Sequence, residues 1–301
     1  MNVKLFIYTM IALGIAIMIT NIYRYIRFMK GMKDVLSTGH DRDKAWMIIG
    51  LLLLVFFLIG YIFIGGFSNP DIVMGGVLFG GSIFVAIVLT LMFHLIASVK
   101  ENCLSMTEVL VGMIEARDPN LNGHSRFVQN LTMLFYSYLP SEMRKKINPV
   151  SLEYAALLHD VGKLGIPENI LNKPAGLSDE EWQVMRNHPQ LGVDFLRPLT
   201  SFEHIRPWIK YHHERMDGTG YYRLPGSQIP LPARIIAIAD TYSAITMRRA
   251  YKEPKTHEMA MEIIQSVAGS QLDAELVGIF ARIPKAELVA CVPPSLDYIM
   301  H

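Results

Sequence analysis

The sequence predicts an all-α protein in two unlike halves: a membrane region over residues 1–99 and a helical domain over residues 100–301. Three runs before residue 99 are apolar and long enough to cross a bilayer, which takes about 20 residues. Beyond them, apolar positions recur at three- and four-residue spacing, as in Leu110, Met113 and Ile114 and again in Phe127, Leu131, Leu134 and Phe135. No stretch alternates convincingly at period two, so strands are not expected.

The membrane runs are Leu5 to Tyr23, Ala45 to Phe67 and Ile72 to Val99. Only Lys4 precedes the first, and no small-residue cleavage site follows it, so it reads as a retained span and not as a signal peptide. The polar turn Ser68-Asn69-Pro70-Asp71 joins the second and third runs into a helical hairpin. Arg24, Arg27, Lys30, Lys33, Arg42 and Lys44 lie between the first two runs, whereas the hairpin turn has no Lys or Arg. Positive charge marks the cytoplasmic side, which puts everything after Val99 in the cytoplasm. His94, near that end of the third run, reads as an interfacial residue.

Lys+Arg 28 against Asp+Glu 27 excludes a polybasic binder of nucleic acid polymers, which needs clustered cations. Cys103 and Cys291 have no metal-binding or redox spacing. In the second half, Val99 to Glu115 can extend the third run as a stalk helix whose apolar spacing is compatible with a homodimer. An apolar helix, Leu152 to Leu158, ends at His159-Asp160. Ser178-Asp179-Glu180-Glu181 is a capping box opening a helix toward His188, and Gly269 is expected to close the helix begun near Thr256. Two long segments rich in Pro and Gly, Val161 to Leu177 and Asp217 to Leu231, each begin a few residues after a histidine cluster; loops of that size in a compact domain are usually functional.

An adjacent His and Asp at a helix end offer one metal an imidazole and a carboxylate, and the second carboxylate oxygen is free to bridge. Alone, His159-Asp160 would mean little and reads as a satisfied polar pair. Around it the sequence also supplies His124, His188, His212, His213 and Asp240. Divalent transition metals favour this mix of ligands, and two metals about 3.5–4 Å apart recur at sites of displacement at phosphorus.

The stretch from His159-Asp160-Val161-Gly162-Lys163 to Pro167, then His212-His213-Glu214-Arg215 through Asp217-Gly218-Thr219-Gly220-Tyr221, then Ile229-Pro230 through Asp240, resembles the HD-GYP subgroup of the HD phosphohydrolases. The resemblance covers about residues 106 to 285, with Gly123-His124-Ser125 near its start and Arg249-Ala250-Tyr251-Lys252 near its end. It implies a helical bundle holding two metals, typically iron or manganese. His124, His159, Asp160 and Asp240 would hold the first. Asp160 would bridge to the second, completed by His188, His212 and His213. Lys163, Arg249 and Lys252 match cations that contact the phosphodiester, where they would offset charge building on its oxygens; as residue types alone they read as a solvated basic face. Asp160 and Lys163 are the expected catalytic residues, with Gly220 and Tyr221 on the substrate-side loop.

Two positions depart from the family pattern. Tyr222 stands where the namesake tripeptide has proline, and since proline fixes φ and removes an N–H, its loss is expected to loosen that loop. Asn120 stands where some members carry a third-metal glutamate, so a two-metal site is expected. The resemblance implies hydrolysis of cyclic di-GMP to linear pGpG or on to GMP, and the apolar runs put this activity at the bacterial inner membrane. A membrane receptor that binds the nucleotide without cutting it, and an HD phosphohydrolase acting on another nucleotide, are the alternatives.

Overall fold

The computed structural model describes residues 3–36, 41–118, 123–247 and 253–294. Contacts divide the chain into two units, Met1–Leu104 and Ser105–His301. Among the described residues the secondary structure is helical, with one isolated bridge between Ala268 and Leu272.

Helices α1 (Val3–Leu36) and α2 (Asp41–Phe67), with the first part of α3 (Ile72–Arg117), build the N-terminal unit. Three stretches are long and apolar enough to cross a membrane: Val3–Lys30, Ala45–Phe67 and Ile72–Val99. The first is longer than the apolar run alone and takes in Arg24, whose guanidinium meets Thr90 Oγ1 at 3.1 Å and lies over the Phe93 ring. Met18, Tyr25, Leu54, Tyr61 and Leu89 pack together inside, while Leu52, Phe56, Phe63 and Phe84 face outward. Apolar residues on the outer faces as well as the inner ones are the pattern of a membrane protein, since water would favour burying them.

The C-terminal unit is built from short helices: α4 (His124–Tyr138), α5 (Ser141–Arg144), α6 (Pro149–Leu158), α7 (Glu168–Leu171), α8 (Asp179–Met185), α9 (His188–Phe195), α10 (Arg206–Lys210), α11 (Leu231–Thr246), α12 (His257–Ser266), α13 (Ala274–Phe280) and α14 (Lys285–Ala290). Central α4 packs on α6 and α11. Phe127, Leu131 and Phe135 recur at four-residue spacing and are fully buried, so one face of α4 lies in the core. The Phe135 and Phe280 rings meet edge to face at 5.1 Å, and Tyr242 meets Phe280 at 5.6 Å, which ties α4, α11 and α13 together.

Side-chain caps open α6, α8, α12 and α13. The Ser178 capping box is formed in full, but α8 stops at Met185, and His188 opens a separate helix with Pro189 in its first turn. Helix α12 ends at Ser266 with Val267 as its cap; Gly269, at φ 81°, makes the turn beyond and donates its N–H to Leu272 O at 2.7 Å. The helix therefore closes before the glycine expected to close it. The first long segment is partly ordered into a 3-10 turn (Val161–Gly165) and α7, the second only into a 3-10 turn at Gly226–Gln228.

Candidate metal centre

Asn148 caps α6 by accepting the Ser151 N–H at 3.0 Å, and Pro149 sits at its first position, where a missing N–H costs nothing. The helix then runs through the core to His159, its C-cap, and Asp160, both buried. The other candidates arrive from separate elements: His124 opens α4 after Gly123 at φ 75°, His188 opens α9, His212 and His213 follow α10, and Asp240 lies within α11.

These residues converge in two groups, Asp160 with His188, His212 and His213, and His124 with His159 and Asp240; within each, one potential ligand atom per residue lies within 4.8 Å of the others. Asp160 faces both. Its Oδ1 is 3.2 Å from His188 Nε2, and its Oδ2 is 3.4 Å from His159 Nε2 and 3.8 Å from His124 Nε2. Asp240 Oδ1 is 3.2 Å from His124 Nε2 and 3.9 Å from His159 Nε2.

Three imidazoles are oriented in the same way. His159, His188 and His212 place Nδ1 on the carbonyl three residues before, Ala156 at 2.7 Å, Met185 at 2.8 Å and Ile209 at 2.6 Å. A carbonyl only accepts, so Nδ1 carries the proton and, in the neutral ring, Nε2 presents a lone pair to the centre. His124 Nδ1 meets Ser243 Oγ at 2.9 Å, and that hydroxyl donates to Met247 Sδ at 3.0 Å, leaving its oxygen to accept from the ring.

Buried Nε2 atoms of His159 and His212 have no hydrogen-bond partner among the described residues. Buried polar atoms without partners are costly, and five imidazoles around two carboxylates fit divalent metal binding. The electrostatics point the same way. Burial, reinforced by neighbouring His188, pushes His213 down to about 3; burial with His213 and His159 alongside holds His212 well below its ordinary value. For Asp160 burial works upward, but Lys163 and His159 more than offset it and keep the carboxyl well below the usual range. Asp240 is likewise depressed, burial being outweighed by the His124 hydrogen bond and the charge of His159. His159 moves the other way: burial lowers it, and Asp160 and Asp240 together raise it above its ordinary value. Neutral imidazoles and ionised carboxylates are the forms that bind metal.

Lys163 lies on the 3-10 turn after Asp160 and donates to Asp160 Oδ2 at 2.6 Å. Tyr221 packs against His213, ring centroids 4.8 Å apart, with the Arg186 guanidinium also over its ring; burial raises its hydroxyl to about 12. Gly220 is required by close approach, because a Cβ there would come within 2.6 Å of Glu214 Cα. Arg249, Lys252 and Asn120 lie outside the described residues.

Two features of this site had no signal in the sequence that singled them out. Buried Glu214 follows the histidine pair and accepts the N–H groups of Tyr222 at 2.6 Å and Leu224 at 2.8 Å. Tyr222 therefore ties the loop down through an N–H that proline lacks, and the expected loosening is replaced by a hydrogen bond. Gly162 is the second: a Cβ there would lie 1.8 Å from His188 O and 2.4 Å from Gly192 N, so only glycine lets the 3-10 turn sit against α9.

Residues 108–276 match the model of the HD domain family. Among curated relatives, a probable cyclic di-GMP phosphodiesterase of Vibrio cholerae is 38% identical over 185 residues, covering 57% of this chain and 42% of that protein. A cyclic di-GMP phosphodiesterase of Thermotoga maritima is 36% identical over 182 residues, 59% of this chain and 48% of the relative. A 3'3'-cGAMP-specific phosphodiesterase of Vibrio cholerae is 34% identical over 188 residues, 61% and 35% respectively. The chain thus spans less than half the length of these relatives.

Proposed function

The chain belongs to the HD domain family, and on that premise we propose that it is a metal-dependent phosphodiesterase that opens a cyclic dinucleotide, cyclic di-GMP, to its linear form. The observation that supports this most is the position of Asp160 between two groups of ligand-type side chains. A receptor without activity would be free to lose such residues, and none of the seven is missing. His124, His159, Asp160 and Asp240 would hold one metal, and Asp160, His188, His212 and His213 the other. Iron or manganese suits these nitrogen and oxygen donors.

Divalent metals in such a site lower the pKa of water toward about 7 and offset charge on phosphate oxygens. The protein's own residues do the rest. Carbonyls of Ala156, Met185 and Ile209 hold the Nδ1 protons, so Nε2 of His159, His188 and His212 is aimed inward without rearrangement. Lys163 donates to Asp160 Oδ2 at 2.6 Å, where its charge would meet a phosphate oxygen, and Arg249 and Lys252 would add charge on the same group. Tyr221, packed on His213, walls the loop side of the site.

The apolar helices and the basic segment after the first of them support a bacterial inner membrane location with the C-terminal unit in the cytoplasm. On α3, Met106, Val109 and Met113 are exposed at three- and four-residue spacing, which supports a homodimer along that helix. Cross-linking of cysteines introduced at Val109 in membranes tests it; monomer only would rule the dimer out.

Turnover is tested on the full chain in detergent, purified without oxygen, with cyclic di-GMP, cyclic di-AMP and 3'3'-cGAMP offered separately. Linear pGpG from cyclic di-GMP, lost on chelation, is expected. Turnover of a different dinucleotide alone would move the substrate, and none with metals bound would leave a receptor.

A further inference from the structure

The metal centre opens into a cleft of about 530 Å³, within the range of roughly 300–1,000 Å³ typical of small-molecule sites and larger than a phosphate alone requires. His188, His213, Asp160 and Lys163 line one part of it, and Leu171, Leu177, Trp182 and Met185 line another. Leu171, Leu177 and Met185 belong to a small satellite core with Ile166 and Ile170. Trp182 does not. It is 44% exposed and has no ring or cation partner among the described residues.

The helix that carries it is held at its start. Helix α8 is locked at its first turn by the reciprocal Ser178–Glu181 capping box, and Lys173 Nζ binds Glu181 Oε2 at 2.6 Å. The other aromatic in the cleft, Tyr221, is already engaged by His213 and Arg186. Trp182 is therefore the open π-surface beside the phosphodiester site.

We propose that the Trp182 indole is the stacking platform for a nucleobase of the substrate. The proposal rests on the phosphodiesterase reading and deepens it: a dinucleotide whose phosphate sits at the metal centre carries planar, weakly polar bases that need an apolar surface within the same cleft. Stacking of a base on an aromatic side chain is worth roughly 5- to 150-fold in affinity and accepts any base, because each has a π-face. Trp182 accordingly supplies affinity for cyclic dinucleotides and leaves the choice of base to other groups.

The test uses the full chain in detergent. Trp182→Ala should raise KM for cyclic di-GMP about fivefold or more with kcat and metal content little changed, Trp182→Leu should behave likewise, and Trp182→Phe should recover most of the loss. Unchanged KM in both the Ala and Leu variants, or recovery by Leu as full as by Phe, overturns the platform while leaving the phosphodiesterase intact. Binding is read separately with Trp46→Phe/Trp208→Phe, in which Trp182 is the remaining tryptophan. Saturable quenching by cyclic di-GMP, and none by inorganic phosphate, is expected whether or not the nucleotide is cut; turnover without quenching rejects the proposal.

Discussion

Glu214 is buried beside His213 and takes up two backbone N–H groups of the loop that carries Tyr221. In Glu214→Gln, one acceptor oxygen becomes an NH2 group facing an N–H, which leaves a buried donor unsatisfied at a cost of about 1–3 kcal/mol. The thermal midpoint of the full chain should fall, and turnover should fall with it as Tyr221 shifts; an unchanged midpoint would mean the carboxylate does not hold the loop. His213 supports a prediction about pH. It is pushed down to about 3 by burial and by His188, while an unfolded histidine titrates near 6.5. Above pH 6.5 neither state takes the proton. Between 6.5 and 3 the unfolded state takes it and the folded state does not, so stability is lost as pH falls through that window. His212 acts in the same direction and His159, raised, acts against them. The chelated chain should therefore lose thermal stability from pH 7 to 5, and His213→Asn should flatten the slope; a midpoint that rises would contradict the assignment. The candidate ligands were legible in the sequence because the His-Asp pair, weak alone, stands with a His-His pair, His124, His188 and Asp240 in the order of a known motif. Glu214 was not, since its role depends on a loop returning eight and ten residues later.

Gly162 sets the distance between two elements. A Cβ would enter the α9 backbone at His188 O and Gly192 N, where no flexible side chain can yield. Gly162→Ala should force the 3-10 turn and α9 apart, destabilise the domain by about 3 kcal/mol and weaken metal binding through His188. Metal counts on the purified variant, beside urea unfolding, check both parts; wild-type values would show that the contact is not needed. At this scale the sequence predicted helices from spacing and caps, and Ser178 and His159-Asp160 stand at the expected ends. It misplaced the close of α12 because a glycine at positive φ serves a turn as readily as a helix end, and Gly269 does the former. Close approaches such as that of Gly162 leave no mark in a single sequence beyond the glycine itself.

The whole chain divides at Leu104 and Ser105, inside α3, whereas composition alone draws the division where the apolar run stops, near residue 99. Composition registers the end of hydrocarbon-compatible residues, and contacts register where the helix begins to pack within the C-terminal unit. Asp160 faces both groups of ligand-type side chains, and one experiment addresses the proposal that it is shared by two metals: metal content and cyclic di-GMP turnover of the full chain and of Asp160→Ala, purified side by side without oxygen. About two metals per chain with linear product in the wild type, and fewer than one metal with no product in Asp160→Ala, is the expected result. Turnover that survives in Asp160→Ala, or a wild type that cuts the nucleotide with its metals removed, would contradict it.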